Sequence, residues 1–275
     1  MGTILADMTA DSRGRVLSIA GSDSGGGAGI QADIKTITTL GGYAATAVTA
    51  ITVQNTLGVS AVHPVPAAIV AAQMEAVLSD IGADAIKTGM LVDAPTIEAV
   101  TKALAGPRRE IPLIVDPVMV AKGGARLLDE HALRALKELI RGAALVTPNL
   151  PEAEVLTGHR ISTVEEMRGA IDALLGLGAA GVLLKGGHLG GPEILDIYAD
   201  AGTRREWGQR KIETQNTHGT GCTLASAIAT GIAQGMPIIA AVERARRYVR
   251  GAIEMAPGFG HGHGPLNHAF GRLTV

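Results

Sequence analysis

Short apolar runs rich in β-branched residues alternate along this chain with longer stretches whose apolar residues recur at helical spacing. The first run, Val16-Leu17-Ser18-Ile19-Ala20, passes into Gly21-Ser22-Asp23-Ser24-Gly25-Gly26-Gly27-Ala28-Gly29 and then into a helical pattern that ends near Leu40. Strand, glycine turn and helix in succession open a βαβ unit. The same alternation predicts strands over 44–53, 85–87, 113–115, 144–146 and 182–184. It predicts helices over 67–78, 95–104, 130–140, 151–156 and 164–175. Residues 194–198 and 207–213 read as a β-hairpin or two edge strands, and helices over 221–233 and 238–255 follow. No internal repeat or linker interrupts the series, so one domain is expected over 16–275, behind a loose polar leader at 1–15.

The strand ends share a pattern. The apolar runs stop on Gly-Ser-Asp (21–23), Lys-Thr-Gly (87–89), Asp-Pro-Val (116–118), Pro-Asn-Leu (148–150) and Lys-Gly-Gly (185–187). Open parallel sheets bind ligands beyond the carboxyl ends of their strands. All five tripeptides are therefore expected on one edge, and that shared placement says more than any single motif.

Composition narrows the chemistry. The 275 residues are 47% hydrophobic but only 2% aromatic, so the core is aliphatic, as suits parallel strands covered on both faces. A net charge of −2, with no basic cluster, argues against a nucleic-acid surface. No uncharged apolar run is long enough to cross a bilayer, and the leader lacks the apolar stretch of a secretory signal. The single cysteine rules out an internal disulfide and a cysteine zinc cluster. A cytoplasmic protein is expected.

The segment Asn216-Thr217-His218-Gly219-Thr220-Gly221-Cys222 precedes a good helical stretch. Free N–H groups and the helix dipole at such a start bind phosphate oxygens, and glycines let the backbone approach them. Ordinary glycine punctuation before a helix is the alternative. Cys222 stands at the same start, where a thiol pKa can be lowered. It is read as a base, as part of the anion hole, or as a small buried hydrophobe. Asp116 suits a magnesium ion near phosphates, or simply a turn. Asn149 and Glu152 suit metal or metal-water contacts, or an N-cap with a first-turn acid, and both readings hold together. Lys185 is read as bridging phosphate oxygens or reaching into solvent, and Asp33 as lying on a solvated helix face. His261, His263 and His268 lack the context of a zinc site. The P-loop pattern is absent, and the first glycine turn offers no acidic residue at the end of the second strand to mark a dinucleotide site.

Together, Ala20-Gly21-Ser22-Asp23, Gly26-Gly27-Ala28-Gly29-Ile30-Gln31-Ala32-Asp33, Gln54-Asn55-Thr56, Lys87-Thr88-Gly89-Met90, Asp116-Pro117-Val118-Met119, Thr147-Pro148-Asn149-Leu150-Pro151-Glu152-Ala153, Lys185-Gly186-Gly187-His188 and the 216–223 segment resemble the ribokinase-like superfamily, and within it the hydroxymethylpyrimidine/phosphomethylpyrimidine kinases. The likeness spans 16–268. It implies an α/β fold, a three-layer α/β/α sandwich with a central, mostly parallel sheet, and a homodimer. It implies ATP and Mg²⁺ as cofactors and two successive phosphorylations of 4-amino-5-hydroxymethyl-2-methylpyrimidine. By the same resemblance Ala28, Asp33, Gln54, Met90 and Val118 line the pyrimidine pocket. Asn149, Glu152, Lys185 and Thr220 meet ATP, and Asp116 and Glu152 hold Mg²⁺. Lys185, Cys222 and the Gly219 and Gly221 amides surround the reacting atoms. Sugar kinases of this superfamily usually carry Asp where Cys222 stands, which argues against a sugar substrate. A pyridoxal kinase and a non-catalytic ligand sensor are the rival expectations.

Overall fold

The computed structural model describes residues 14–119 and 130–270; residues 1–13 of the leader expected at 1–15 lie outside them. Strand β1 (Arg15–Asp23) begins before the expected boundary, because Arg15 is anchored by its backbone N–H and guanidinium to Asp84, at 2.7 and 2.6 Å. It is followed by α1 (Gly29–Thr39), β2 (Tyr43–Asn55), β3 (Gly58–Pro64), α2 (Ala67–Asp80), β4 (Ala85–Thr88) and α3 (Ala94–Ala103). Then come β5 (Leu113–Val115), α4 (Glu130–Ile140), β6 (Leu145–Val146), α5 (Leu150–Thr157), α6 (Val164–Leu175) and β7 (Gly181–Lys185). The series closes with β8 (Glu193–Asp200), β9 (Arg204–Arg210), α7 (Thr220–Ala233) and α8 (Ile238–Glu254).

The nine strands form one sheet in the order β3-β2-β1-β4-β5-β6-β7-β8-β9. From β2 to β7 the pairs are parallel, and β3, β8 and β9 add antiparallel edges. The expected three-layer sandwich is present. On β1, Leu17 and Ile19 join the cluster formed with Val70, Met74, Ile97, Val100 and Leu136 from α2, α3 and α4. Val16 points the other way, toward Ile37 of α1 and Ala225 and Ala229 of α7. Period-two alternation thus feeds both layers, and each fully buried Leu or Ile contributes roughly 1.5–3 kcal/mol.

Two expectations are corrected. The sequence pattern gave no sign of β3, Gly-Val-Ser-Ala-Val-His-Pro, whose residues are exposed or half-buried throughout, so no alternation marks it. The last strand runs 204–210, not 207–213. Its register is set by pairing with β8, Asp196 opposite Trp207, and its side chains are mostly charged and exposed.

The strand order places the site. β1 lies between β2 on one side and β4 on the other, with α1 and α2 on opposite faces of the sheet. The chain reverses its direction of travel there, and the helices part to leave a crevice over the strand ends. Among the described residues, no helix is long and apolar enough to cross a membrane.

Candidate active site

A cavity of about 770 Å³ occupies that crevice. Its wall begins at the end of β1. Asp23, nearly buried, accepts hydrogen bonds from the backbone N–H of Gly25 (2.8 Å), Gly27 (3.1 Å) and Ala28 (2.8 Å). It also meets Nε2 of His218 at 2.8 Å. Burial opposes ionisation of this carboxyl, but the bonds from His218 and Ala28 outweigh it and hold the pKa below the usual range. One side chain therefore shapes the first glycine turn and ties it to the segment before α7. Two glycines make the closeness possible. Gly29 (φ +56°) and Gly219 (φ +85°) both occupy left-handed conformations. A methyl on the first would overlap the carbonyl oxygen of Gly21, and one on the second that of Gly27.

Gln54 projects from the end of β2 into the cavity. Its side-chain amide lies 3.3 Å from His218 Nε2 and 3.1 Å from Thr52 Oγ1, whose single hydrogen goes to the Ser22 carbonyl at 3.0 Å. His218 Nε2 carries its hydrogen toward Asp23. The structure turns the amide nitrogen toward His218 and the amide oxygen toward Thr52; with both of those hydrogens already directed elsewhere, the reverse orientation, in which the amide nitrogen donates to Thr52 Oγ1 and the oxygen shares the His218 hydrogen with Asp23, suits the network better. Ala28, Met90 and Val118 also line this cavity. Asp33 does not. It is fully buried one turn into α1, where both carboxylate oxygens lie 2.9 Å from Nζ of the equally buried Lys87. It is neither on the cavity wall nor on a solvated face, because that carboxylate would be stranded without the lysine.

The far end is charged. Lys185, at the end of β7, donates to Asp116 Oδ1 at 2.9 Å, and Thr147 donates to the same oxygen at 3.0 Å. The lysine side chain is 14% exposed, so it does not reach into solvent. Burial alone lowers the lysine pKa, but Asp116 and Glu152 reverse this and raise it. Burial likewise opposes ionisation of Asp116, and Lys185 followed by Lys87 overcomes that and lowers its pKa. Glu152 differs. Burial, reinforced by the negative charge of Asp116 and countered in part by Lys185, pushes its carboxyl up to about 7. Asn149 and Glu152 also form a reciprocal cap on α5, with Glu152 N–H donating to Asn149 Oδ1 at 2.9 Å and Asn149 N–H to Glu152 Oε2 at 2.8 Å. The cap holds the acid at the cavity mouth.

This predicts a pH effect. Because the folded pKa near 7 exceeds the ordinary 4.5, the stability tied to the protonated form is complete below pH 4.5. It is lost as the pH rises through 7. Urea unfolding at pH 5 and pH 8, without metal, should therefore show wild type losing stability over an interval in which Glu152→Gln loses less. Equal losses would remove the assignment.

The start of α7 closes the site. Thr220 and Cys222 line it, and a Cβ on Gly221 would stand 3.4 Å from Lys185 Nζ and 3.5 Å from Asp116 Oδ2. The N–H groups of Gly221 and Cys222 in the first turn thus lie beside the lysine. The expected lowering of the thiol pKa is not found. Burial pushes Cys222 up to about 11, against the pull of Lys87 and of the Gly29 amide, while Asp33 and Asp116 add to the rise.

A matching family model, described as phosphomethylpyrimidine kinase, spans residues 23–267. The chain belongs to the phosphomethylpyrimidine kinase family. It is 56% identical over 257 residues to the thiamine biosynthesis bifunctional protein ThiED of Geobacter sulfurreducens, a match covering 93% of this chain but only 52% of that longer protein. It is 50% identical to the hydroxymethylpyrimidine/phosphomethylpyrimidine kinase of Rhizobium meliloti, over 92% of this chain and 96% of the relative. Among solved structures, an ADP complex of Bacillus subtilis pyridoxal kinase superposes with a TM-score of 0.88 at 35% identity, covering 96% of this chain and 100% of that one. The chain is thus a phosphotransferase of ribokinase-like fold.

Several wall residues of this family member had no signal in the sequence. Arg246 of α8 donates from Nε to Asp196 at 2.8 Å and lies 5.4 Å from the Trp207 ring centroid. Asp196 in turn accepts from the Gly186 N–H at 3.2 Å, steadying the turn behind Lys185. The glycine-histidine loop backs the wall on the other side: the N–H of His263 donates to the Thr56 carbonyl at 2.8 Å, and His268 Nε2 lies 2.9 Å from Thr223 Oγ1 of α7. Burial, with Lys35 adding to it, keeps His268 neutral down to about pH 4.

Proposed function

We propose that this kinase transfers the γ-phosphoryl group of ATP to the hydroxymethyl oxygen of 4-amino-5-hydroxymethyl-2-methylpyrimidine. A second transfer to the resulting phosphate would give the diphosphate used in thiamine synthesis. The observation that carries this reading is the polarity of the cavity. One end offers an oriented amide at Gln54 between the apolar Met90 and Val118. The other offers Lys185, Asp116 and the N–H groups of α7. An aminopyrimidine edge presents a donor beside an acceptor, which one carboxamide matches. Its hydroxymethyl arm then points toward the charged end.

In the transfer, the hydroxyl oxygen bonds to the γ-phosphorus as the bond to the β–γ bridging oxygen breaks. The hydroxyl proton passes to solvent water, and ADP leaves with the electron pair of the broken bond. Lys185 and the Gly219, Gly221 and Cys222 amides stand where negative charge spreads over the phosphoryl oxygens. With its thiol near 11, Cys222 is a weak base at neutral pH, so positioning and charge supply most of the acceleration. Asp116 and Glu152 bring hard carboxylate oxygens to one place and fit Mg²⁺, which retains waters and takes few protein ligands. A bound Mg²⁺ would neutralise phosphate charge there, and Asn149 and Thr220, which line the same cavity, would meet the nucleotide. The exposed Ile51, Val53 and Leu57 of the β2–β3 hairpin supply an apolar face for the second copy of a homodimer, a feature that sedimentation would check. A cytoplasmic location accords with the ATP requirement.

The similarity to a pyridoxal kinase makes pyridoxal the rival substrate, since it too is a flat heteroaromatic bearing a hydroxymethyl group. Purified protein with Mg-ATP should release ADP with the pyrimidine, with kcat/KM at least about tenfold above that for pyridoxal, or about 1.4 kcal/mol of discrimination. No ADP release with the pyrimidine would sink the reading, and a preference for pyridoxal would replace it.

A further inference from the structure

The hydrogen bonds around Gln54 have a direction that can be worked out atom by atom. Asp23 accepts from the backbone N–H groups of Gly25, Gly27 and Ala28 and is held ionised, so it has no hydrogen to give to His218. The hydrogen that joins them over 2.8 Å therefore belongs to His218 Nε2. On the other side, the single hydrogen of Thr52 Oγ1 goes to the Ser22 carbonyl at 3.0 Å. His218 thus offers the Gln54 amide a donor at 3.3 Å, and Thr52 offers it an acceptor at 3.1 Å. The Gln54 backbone is held as well. Its N–H donates to Ser24 Oγ and its carbonyl accepts from the same hydroxyl, both at 2.8 Å. The register of β2 against β3 shifts between Val53 and Gln54, an irregularity of the kind that re-aims a side chain.

With the amide oxygen at the His218 end and the nitrogen at the Thr52 end, one lone pair and one hydrogen are left for a ligand. An aminopyrimidine edge presents its amino donor beside a ring-nitrogen acceptor. The two patterns match only one way round, with the amino group on the His218 side and the ring nitrogen on the Thr52 side. The hydroxymethyl group is carried by the ring carbon next to the one bearing the amino group. It therefore lies on the His218 side too. His218 is the residue before Gly219, the N-cap of α7, and a Cβ on Gly221 would stand 3.4 Å from Lys185 Nζ. The fixed amide thus sends the hydroxyl toward the phosphoryl end of the cavity. An amide facing the other way would turn the ring over and carry the hydroxyl toward Thr52 and β2.

We infer that His218, held by Asp23, and Thr52 are positioning residues that set substrate specificity: they fix the Gln54 amide so that it admits an amino donor beside a ring acceptor and aims the hydroxymethyl group at the start of α7. This rests on the reading that the ring edge meets Gln54. Both residues act through that amide.

The test compares the pyrimidine with its 4-oxo counterpart, in which a ring carbonyl replaces the amino group and the adjacent ring nitrogen carries a hydrogen. The two are nearly equal in size, but the donor and acceptor are exchanged. Wild type should prefer the amino compound by at least about 100-fold in kcat/KM, because a fixed amide would set donor against donor and acceptor against acceptor. His218→Phe removes the donor and Thr52→Val the acceptor. Together they free the amide to turn, and the preference should fall at least about tenfold, with each single variant in between. Asp23 keeps its backbone donors in these variants. Thermal melting identifies the folded material. Should His218→Phe melt early, Thr52→Val reads the same property without touching the tie to Asp23, and its preference should fall at least about threefold. A merely structural role would slow both compounds alike, so folded variants with the wild-type ratio would overturn the inference while the substrate reading stands. Wild type using both compounds equally would do the same. Wild type that uses neither would end the substrate reading and the inference with it.

Discussion

Replacing Lys185 by alanine should lower kcat by about 10²–10³-fold while the chain still folds. The argument starts from where the ammonium sits. It is 2.9 Å from Asp116, beside the first turn of α7, and 14% exposed on its side chain, so it faces the cavity. A cation there has little to gain from the neutral hydroxyl of the substrate and much from the phosphoryl oxygens as charge spreads over them. Its loss should thus appear in kcat, with a smaller effect on KM. The fold should tolerate the change because water can enter the cavity and solvate Asp116, which keeps the hydrogen bond from Thr147. Steady-state ADP release and a melting curve on the same preparation check both halves. Wild-type turnover in Lys185→Ala would remove the lysine from the reaction.

The second large effect is expected at Gly219. Its backbone is left-handed (φ +85°), and an added methyl would collide with the Gly27 carbonyl oxygen. Gly219→Ala therefore carries two costs: about 1–2 kcal/mol for the conformation and more for parting the two glycine turns. For a chain of this size each kcal/mol lowers Tm by about 2–4 °C, so a fall of several degrees is expected. Activity should fall further than stability. The same displacement moves the first turn of α7 away from Lys185, and misplacement by about 1 Å costs on the order of 10²-fold. A variant that melts normally and turns over normally would show that the close approach of the two turns is dispensable.

Much of this site could be read in the sequence because its parts are local. Each strand end carries its own polar tripeptide, and one-dimensional alternation of strand and helix suffices to put Asp116, Asn149 and Lys185 on one edge. The capping pair of Asn149 and Glu152 is likewise a four-residue pattern. What escaped has no local signature. The Lys87–Asp33 pair joins residues 54 positions apart, so Asp33 looked like part of a solvated helix face. The sign of the Cys222 shift also escaped, because a helix start lowers a thiol pKa while burial raises it, and burial is decided by neighbours from α1 and β4. Strand β3 escaped because, exposed on both faces, it shows no alternation. The shift in β9 has a related cause: the register follows pairing with β8, while Arg204 and Arg205 read as loop.

The tie between Asp23 and His218 spans 195 residues, and that between Asp33 and Ser226 spans 193. Long separations of this kind slow folding, since the chain must close a large loop before the contact rewards it. They also set an order during synthesis. At the ribosome's pace, roughly 10–40 s separate the appearance of Asp23 from that of His218. Through that interval the central strand β1 has no α7 against its Val16 side, and Lys87 and Asp33 await the helix that buries them. A nascent chain halted before α7 should therefore expose an apolar sheet face to chaperones and bind neither substrate, so competence for catalysis arrives only with the last quarter of translation.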